Sequence, residues 1–289
     1  VSENTNKIIC GLTLSRDIYT EVAYKIVSFK ESFGIKPCLA VIMVGDNSAS
    51  KIYVNNKQIA CQKVGIESKI YNLDNNITKD ELLNLIHILN QDQKVHGILL
   101  QLPLPDHIPY NDILQAINPL KDVDGLHPEN LGFLISGKPR IVPCTPQGCL
   151  QMINSVHPNI DGKNIVVLGR SILVGKSLSI LLINQNASVT VLHSLSKNIQ
   201  QTCSQADILV VAIGKKHLVD DSFIKKGATI IDVGITKDHD GKIYGDVNFD
   251  AVIEKVNFIS PVPKGVGPMT IANLILNLNR CLELQFSKN

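Results

Sequence analysis

Short, uninterrupted apolar runs recur along the chain at Leu39–Val44, Gly97–Leu100, Ile165–Leu168, Val189–Leu192, Ile208–Ala212, Thr229–Val233 and Asn257–Ile259. Runs of this length without polar alternation suit strands covered on both faces, as in parallel sheets. Helix-length segments lie between most of them, so the pattern predicts α/β architecture with parallel sheets. No internal repeat or low-complexity tract interrupts it. Breakers cluster in two stretches, Gln101–Pro109 and Lys121–Thr145, and the second is expected to close a first domain. Thr145-Pro146 then reads as a helix start, with Thr145 as N-cap and Pro146 in the first turn. That helix leads toward a second domain near Gly162. A last helix is expected from about Thr270 to Leu284, after the Pro/Gly-rich segment Pro261–Pro268. These two helices would link the lobes as a hinge.

A chain of 289 residues exceeds the commonest single-domain size, so two domains are expected. The limits read from the pattern are 1–148, completed by the helix 271–289, and 149–270. Net charge is only +2 and no basic block appears, which argues against a nucleic-acid partner. No stretch approaches the roughly 20 apolar residues that span a bilayer, and Val1–Leu14 has no basic start followed by a long apolar run, so no signal peptide is expected there. The seven cysteines, Cys10, Cys38, Cys61, Cys144, Cys149, Cys203 and Cys281, form no C-x-x-C pair. They read as reduced thiols, mostly small buried hydrophobes, and together these features predict a cytoplasmic protein without structural metal.

Chemistry enters at Ile165–Leu168, which runs into Gly169-Arg170-Ser171-Ile172-Leu173-Val174-Gly175 and then a helix with Leu178, Leu181 and Leu182 on one face. Strand, glycine turn and helix form the context of a dinucleotide fingerprint, with the helix N-terminus facing the pyrophosphate. The spacing departs from G-x-G-x-x-G: Ser171 stands at the second glycine and Gly175 comes one residue late. The rival is a phosphate loop of a nucleotide hydrolase, G-R-S-I-L-V-G-K-S, with Asp232 as its magnesium ligand. One residue too many, and bulky Ile172, Leu173 and Val174, count against that rival. The next strand ends in Val191-Leu192-His193-Ser194, with no acid to bind a ribose 2′-hydroxyl. With Arg170 in the turn, this favours NADP over NAD.

In the first domain, Gly45-Asp46-Asn47-Ser48 turns into a helix to Val64, with Ile52, Ile59, Ala60 and Val64 read as its apolar face. Ser50, Tyr53 and Lys57 fall in one stripe at its edge. A lysine half-buried there would have a lowered pKa and serve as a base; the bland alternative is a snorkelling lysine beside a packed tyrosine.

The order of motifs resembles the family of bifunctional methylenetetrahydrofolate dehydrogenases/methenyltetrahydrofolate cyclohydrolases over essentially the whole chain. The matching segments are Tyr53-Val54-Asn55-Asn56-Lys57, Gly97–Pro105, Lys121-Asp122-Val123-Asp124-Gly125, Pro143-Cys144-Thr145-Pro146, Gly169-Arg170-Ser171 with Val174-Gly175, and Gly265–Thr270. The resemblance implies two α/β lobes, an N-terminal catalytic domain and a Rossmann-type NADP-binding domain, with the active cleft between them and a homodimer formed through the latter. It implies Lys57 as catalytic base, Tyr53 beside the folate, Gln101 tuning the lysine and Asp124 holding the pterin. Ser50, Pro263 and Gly267 join Tyr53, Gln101 and Asp124 at the substrate. Gly169, Arg170, Ser171, Ser194, Ile213, Gly214, Ile235, Thr270 and Thr145 are the implied cofactor set, with Gly267 and Thr270 in the loop closing over cofactor and folate. The implied reaction takes hydride from 5,10-methylenetetrahydrofolate to NADP and hydrolyses the methenyl product to 10-formyltetrahydrofolate, without metal. Other readings are a silent folate- or nucleotide-binding oligomer, disfavoured by Tyr53, Lys57, Gln101 and Asp124 occurring together, and a dehydrogenase lacking the hydrolytic step. One departure stands out: Lys264 replaces the first glycine of the family's Pro-x-Pro-Gly-Gly-Val-Gly-Pro. It is either strained, if the position needs positive φ, or a cation near the substrate's glutamate tail.

Overall fold

The structure, a computed structural model, describes residues 4–238 and 241–286. The chain forms two compact units, Arg16–Cys144 with Ile271–Asn289, and Val1–Ser15 with Thr145–Thr270. It therefore passes between them at Ser15–Arg16 as well as at Cys144–Thr145 and Thr270–Ile271. The first fifteen residues leave the N-terminal domain expected from the sequence for a physical reason. Ile8 bridges Ile259 in parallel, Ile9 N–H donates to the Ile259 carbonyl at 2.9 Å, and Lys7 Nζ donates to the Ile253 carbonyl at 3.0 Å.

The first unit holds most of α1 (Gly11–Phe33), then β1 (Cys38–Val44), α2 (Ser48–Lys63), β2 (Glu67–Leu73), α3 (Lys79–Gln91), β3 (Gly97–Gln101), α4 (Tyr110–Ala116) and α5 (Pro128–Ile135). Its parallel sheet has the order β2-β1-β3. Every residue of the central β1 is buried. Alternation then gives two apolar layers. Ala40, Ile42 and Val44 join Ile98, Leu100 and the α3 residues Leu82, Ile86 and Leu89. Leu39, Val41 and Met43 join Leu99, Val54, Cys61, Val22 and others. β2 was not legible in the sequence, because Glu67, Ser68, Lys69 and Asn72 break its apolar run; it is a half-buried edge strand. α3 starts in a capping box between Thr78 and Glu81. Its far end is closed by Lys121, whose Nζ donates to the carbonyls of Leu89 (3.0 Å), Asn90 (2.8 Å) and Asp92 (2.8 Å).

The chain continues through α6 (Cys144–Val156), β4 (Asn164–Leu168), a π turn at Ile172–Lys176, α7 (Ser177–Ile183), β5 (Ser188–Leu192), α8 (Ile199–Cys203), β6 (Ile208–Val211), β7 (Thr229–Asp232), the short antiparallel pair β8 (Thr236–Lys237) and β9 (Ile243–Tyr244), α9 (Phe249–Val252), β10 (Phe258–Ile259) and α10 (Val266–Phe286). The second sheet is parallel throughout, with the order β10-β7-β6-β4-β5. From β4 the chain goes first to β5 on one side and then to β6 on the other. The topology thus reverses between β4 and β6, which opens a crevice at their carboxyl ends. α10 begins before the expected Thr270, and its distal part returns to the first unit, where Leu274, Ile275, Leu278, Cys281 and Leu282 fill the layer shared with Val41 and Leu99. α6 begins at Cys144, so Thr145 is inside the helix and is not its N-cap. Its hydroxyl instead lies 3.0 Å from that of Thr270.

Candidate functional site

The first unit gathers its candidate chemistry at the ends of β1 and β3. Asn47 caps α2, its Oδ1 accepting the Ser50 N–H at 3.1 Å. From there Ser50, Val54, Lys57, Cys61 and Val64 recur at intervals of three and four, and this stripe faces inward. Of the apolar face expected here, Ala60 and Val64 are buried, whereas Ile52 and Ile59 are 56% and 42% exposed. Hydrophobicity alone misplaced the stripe because two polar residues, Ser50 and Lys57, occupy its inner positions. Tyr53 lies beside it, on the more open flank, one turn before Lys57.

Lys57 is half-buried and donates from Nζ to Gln101 Oε1 at 2.9 Å. Gln101 ends β3, and its Nε2 donates to the Leu102 carbonyl at 2.8 Å. With the amide nitrogen committed to a carbonyl, the amide oxygen is the atom left to face the lysine. Ser50 Oγ donates to the same Leu102 carbonyl at 3.2 Å, so three of the candidate residues share one network.

Asp124 belongs to the segment Lys121–Gly125, which runs beside β3 through the Ile98–Asp122 bridge. Lys121 anchors this segment on α3. Asp122 shapes its turn, its Oδ1 accepting from Gly125 N–H at 3.1 Å and its Oδ2 from His127 N–H at 2.8 Å and Asn130 Nδ2 at 3.0 Å. Asn277 of α10 braces it from behind, Nδ2 donating to the Val123 and Val142 carbonyls at 2.8 Å each. Asp124 is thereby presented with part of its surface open. Burial pushes its carboxyl up to about 6; the Lys57 cation pulls it back and the Asp122 charge adds to the rise. The Cys144 thiol lies 4.0 Å from Asp124 Oδ1, and burial raises that thiol well above its ordinary value. Nothing in the sequence marks Asn277 or Tyr110, whose buried hydroxyl has no hydrogen-bond partner, and Cys144 stands there only as one cysteine within a matching segment. Burial and the charges of Asp124 and Asp122 raise the Tyr110 phenol. No periodicity marks such residues, since their role depends on contacts with distant segments.

In the second unit, Gly169 follows β4 with φ 126°, and a Cβ there would lie 2.2 Å from the Ala212 carbonyl oxygen. A Cβ on Gly175 would lie 2.0 Å from the Gly169 carbonyl oxygen. Both glycines are thus required by close backbone approach. The late glycine is explained by the π turn: Lys176 N–H donates to the Ser171 carbonyl five residues back at 3.0 Å, which absorbs the additional residue. Ser171 caps this turn through Oγ, which accepts the Val174 N–H at 3.2 Å. The nucleotide-hydrolase alternative fails here. Ser177 spends its hydroxyl on the Ile172 carbonyl at 2.6 Å, and Asp232 spends its carboxylate on backbone amides of Gly234, Asp246 and Val247, each at 3.0 Å. Burial raises the Asp232 carboxyl to about 6, against the opposing pull of those amides. Among the described residues no group of His, Cys, Asp and Glu is arranged to hold a metal ion.

Leu168 and Leu192 are register partners, so Arg170 and Ser194 each stand two residues beyond the ends of adjacent strands, and both are exposed. Ile213 and Gly214 follow β6 beside Gly169, and Ile235, 46% exposed, follows β7. These positions surround the β4/β6 crevice and its neighbouring strand end, and they fit a dinucleotide: a tight glycine turn, exposed cationic and hydroxyl side chains, and no competing acid at the end of β5. Pro263 is exposed in the loop before α10, whereas Gly267 and Thr270 lie within the helix. Their expected place in a closing loop is corrected, since α10 starts at Val266. Lys264 has φ 80° and is exposed, so the position does need positive φ.

Comparison with known proteins agrees with both halves of this description. Residues 9–124 match the tetrahydrofolate dehydrogenase/cyclohydrolase catalytic domain, and residues 143–286 match the NAD(P)-binding domain of the same family. The bifunctional protein FolD of Agathobacter rectalis is 49% identical over 276 residues, covering 96% of this chain and 98% of that one. The crystal structure of the bifunctional methylenetetrahydrofolate dehydrogenase/cyclohydrolase FolD from Campylobacter jejuni superposes with a TM-score of 0.94 at 44% identity, over 96% of this chain and 99% of that one. The Trypanosoma brucei enzyme, complexed with NADP cofactor and inhibitor, gives 0.93 at 34% identity, over 97% and 98%. With both domain types matched in order and close relatives aligned nearly end to end, the chain belongs to the tetrahydrofolate dehydrogenase/cyclohydrolase family.

Proposed function

We propose that the chain oxidises 5,10-methylenetetrahydrofolate to 5,10-methenyltetrahydrofolate with NADP and hydrolyses the product to 10-formyltetrahydrofolate, in one-carbon metabolism. The observation that carries this reading is the half-buried Lys57 ammonium held on the Gln101 carbonyl, within electrostatic reach of Asp124. The unit Arg16–Cys144 with Ile271–Asn289 supplies the folate chemistry, and the unit containing Thr145–Thr270 binds the cofactor. Bound NADP supplies the hydride acceptor. Asp124, ionised at neutral pH, accepts hydrogen bonds from the pterin N–H edge and fixes the one-carbon bridge in place. Tyr53 offers an exposed ring against which the folate rests. Lys57 moves the protons that water addition and ring opening demand, and Gln101 fixes the position of its nitrogen. Gly169, Arg170, Ser171 and Ser194 hold the pyrophosphate and 2′-phosphate, with Ile213, Gly214, Ile235, Thr270 and Thr145 completing the cofactor set; Ser50, Pro263 and Gly267 complete the folate set.

The protein is proposed to work as a cytoplasmic homodimer without nucleic-acid or membrane partners. Support for the dimer lies in β5, an edge strand of its sheet, with Val191 37%, Ile183 51% and Leu195 77% exposed around it. All seven cysteines are free, in keeping with a reducing compartment, and no helix among the described residues is long and apolar enough to cross a membrane. Absorbance of purified protein with methylenetetrahydrofolate and NADP or NAD tests the reaction: methenyl compound should build up and then decay. No build-up in either cofactor would refute the oxidation, and build-up without accelerated decay would refute the hydrolysis. Sedimentation with and without Val191→Lys tests the dimer.

A further inference from the structure

The loops after β6 and β7 carry Ile213, Gly214 and Ile235, and both are tied to buried carboxylates of their own unit. Asp246 is fully buried. Its Oδ2 accepts the N–H groups of Ile213 at 2.7 Å and Gly214 at 3.0 Å, and its Oδ1 accepts that of Lys215 at 2.7 Å. Three successive amides converging on one anion form the concavity that elsewhere binds a phosphate. Here the protein fills it with its own side chain. Asp246 is in turn held by its backbone, whose N–H donates to Asp232 Oδ1 at 3.0 Å. The same Oδ1 accepts the Gly234 N–H at 3.0 Å, Oδ2 accepts the Val247 N–H at 3.0 Å, and the Asp232 N–H donates to Ser260 Oγ at 2.8 Å. Gly234, directly before Ile235, packs so closely that a Cβ there would lie 2.2 Å from Asp246 Cγ.

We propose that Asp246 is a positioning residue for the dinucleotide, its carboxylate, seated on Asp232, fixing the β6 and β7 loops in the shape that receives the cofactor. The inference rests on the reading of this unit as the NADP site. A loop whose amides are already satisfied by an internal anion needs no phosphate to become ordered, so binding does not bear the entropy of ordering it. The isosteric Asp246→Asn turns an amide N–H₂ toward donors that need an acceptor, and the loop must rearrange to satisfy them.

NADPH binding to the full chain, followed by the cofactor's own fluorescence, should weaken by about tenfold or more in Asp246→Asn. The KM for NADP should rise more than kcat falls, and methenyl hydrolysis measured in parallel reports whether the rest of the chain is folded. Amide hydrogen exchange on the wild type supplies a test that needs no variant: the amides of Ile213, Gly214 and Lys215 should be protected before cofactor is added. Free exchange of these amides in the cofactor-free protein overturns the proposal, as does a folded Asp246→Asn that binds NADPH as the wild type does. A wild type that fails to bind NADPH would instead overturn the NADP reading, and the inference with it.

Discussion

Lys264 gives the sharpest test of backbone reasoning in this chain, because its φ of 80° places an L side chain in the left-handed region. That conformation costs about 1–2 kcal/mol for a residue with a Cβ. Lys264→Gly removes this cost, while the greater freedom of glycine in the unfolded chain takes back roughly 0.5–1 kcal/mol. The net is a stabilisation of about 0.5–1 kcal/mol. Nothing else needs to change, since the side chain is exposed and the interaction that matters, the Lys264 carbonyl accepting the Leu12 N–H at 3.1 Å, is made by the backbone. For a chain of this size, such a gain raises the melting temperature by about 1–4 °C. Lys264→Ala is the control: it removes the same charge but keeps the Cβ, and should melt within about 1 °C of the wild type. Thermal melting of the three proteins at matched concentration and without cofactor decides the matter. If Lys264→Gly melts no higher than Lys264→Ala, the left-handed conformation is not what limits stability there.

Lys57→Met should slow methenyl hydrolysis by about 10²–10⁴-fold while retaining part of the hydride transfer, so methenyltetrahydrofolate should accumulate; hydrolysis at the wild-type rate would reduce Lys57 to a packed helix residue. Asp124 should impose an acid limb near pH 6 on kcat/KM for folate, because its carboxyl, raised to about 6, loses its acceptor role when protonated; Asp124→Asn should abolish that limb, and an unchanged pH profile would refute the assignment. For stability the sign is opposite: with a folded-state pKa raised from 3.8, Asp124 contributes fully below the unfolded value and loses that contribution as pH rises through about 6. The melting difference between Asp124→Asn and wild type should therefore move in favour of the variant between pH 4 and 7. Arg170→Ala should lower kcat/KM for NADP by roughly ten- to a hundredfold, as expected for loss of a charge-assisted bond, and leave NAD use nearly untouched; an equal loss with both cofactors would remove the 2′-phosphate role. Lys264→Gly should also diminish any advantage of longer glutamate tails, most at low salt, and identical tail dependence in both proteins would refute a charge role.

What the sequence reveals depends on whether a residue's role is local. β1, β3, β4, β6 and β7 are continuous apolar runs buried on both faces, and their signal survives without tertiary context. β2 lies at an edge with polar residues in its run, and β8 and β9 span two residues each, too short for any period. Lys57 and Gln101 were legible because both sit in recognisable segments, but the bond between them crosses 44 residues and no spacing reveals it. α2 shows how the simple rule fails: its inner stripe carries the polar Ser50 and Lys57, while Ile52 and Ile59 stay outside. In the sequence Asp232 stands only as the magnesium ligand of the hydrolase alternative, and nothing marks Asp246, since an acid among turn residues is ordinary without its three amide partners.

The interleaving of the two units sets a schedule for biosynthesis. Translation proceeds from the amino end, yet the layer beneath β1 awaits Leu274, Ile275, Leu278 and Leu282 from the last helix. Likewise Ile8 and Ile9 finish their sheet only after Ile259 exists. Neither unit can complete its core while the ribosome is still working through the middle of the message, so the usual order of folding one domain before the next is made does not apply. A nascent chain stalled near Asn257 would hold both cores open, with unfilled apolar surface exposed to chaperones, and maturation should be a late, concerted event that follows the emergence of α10.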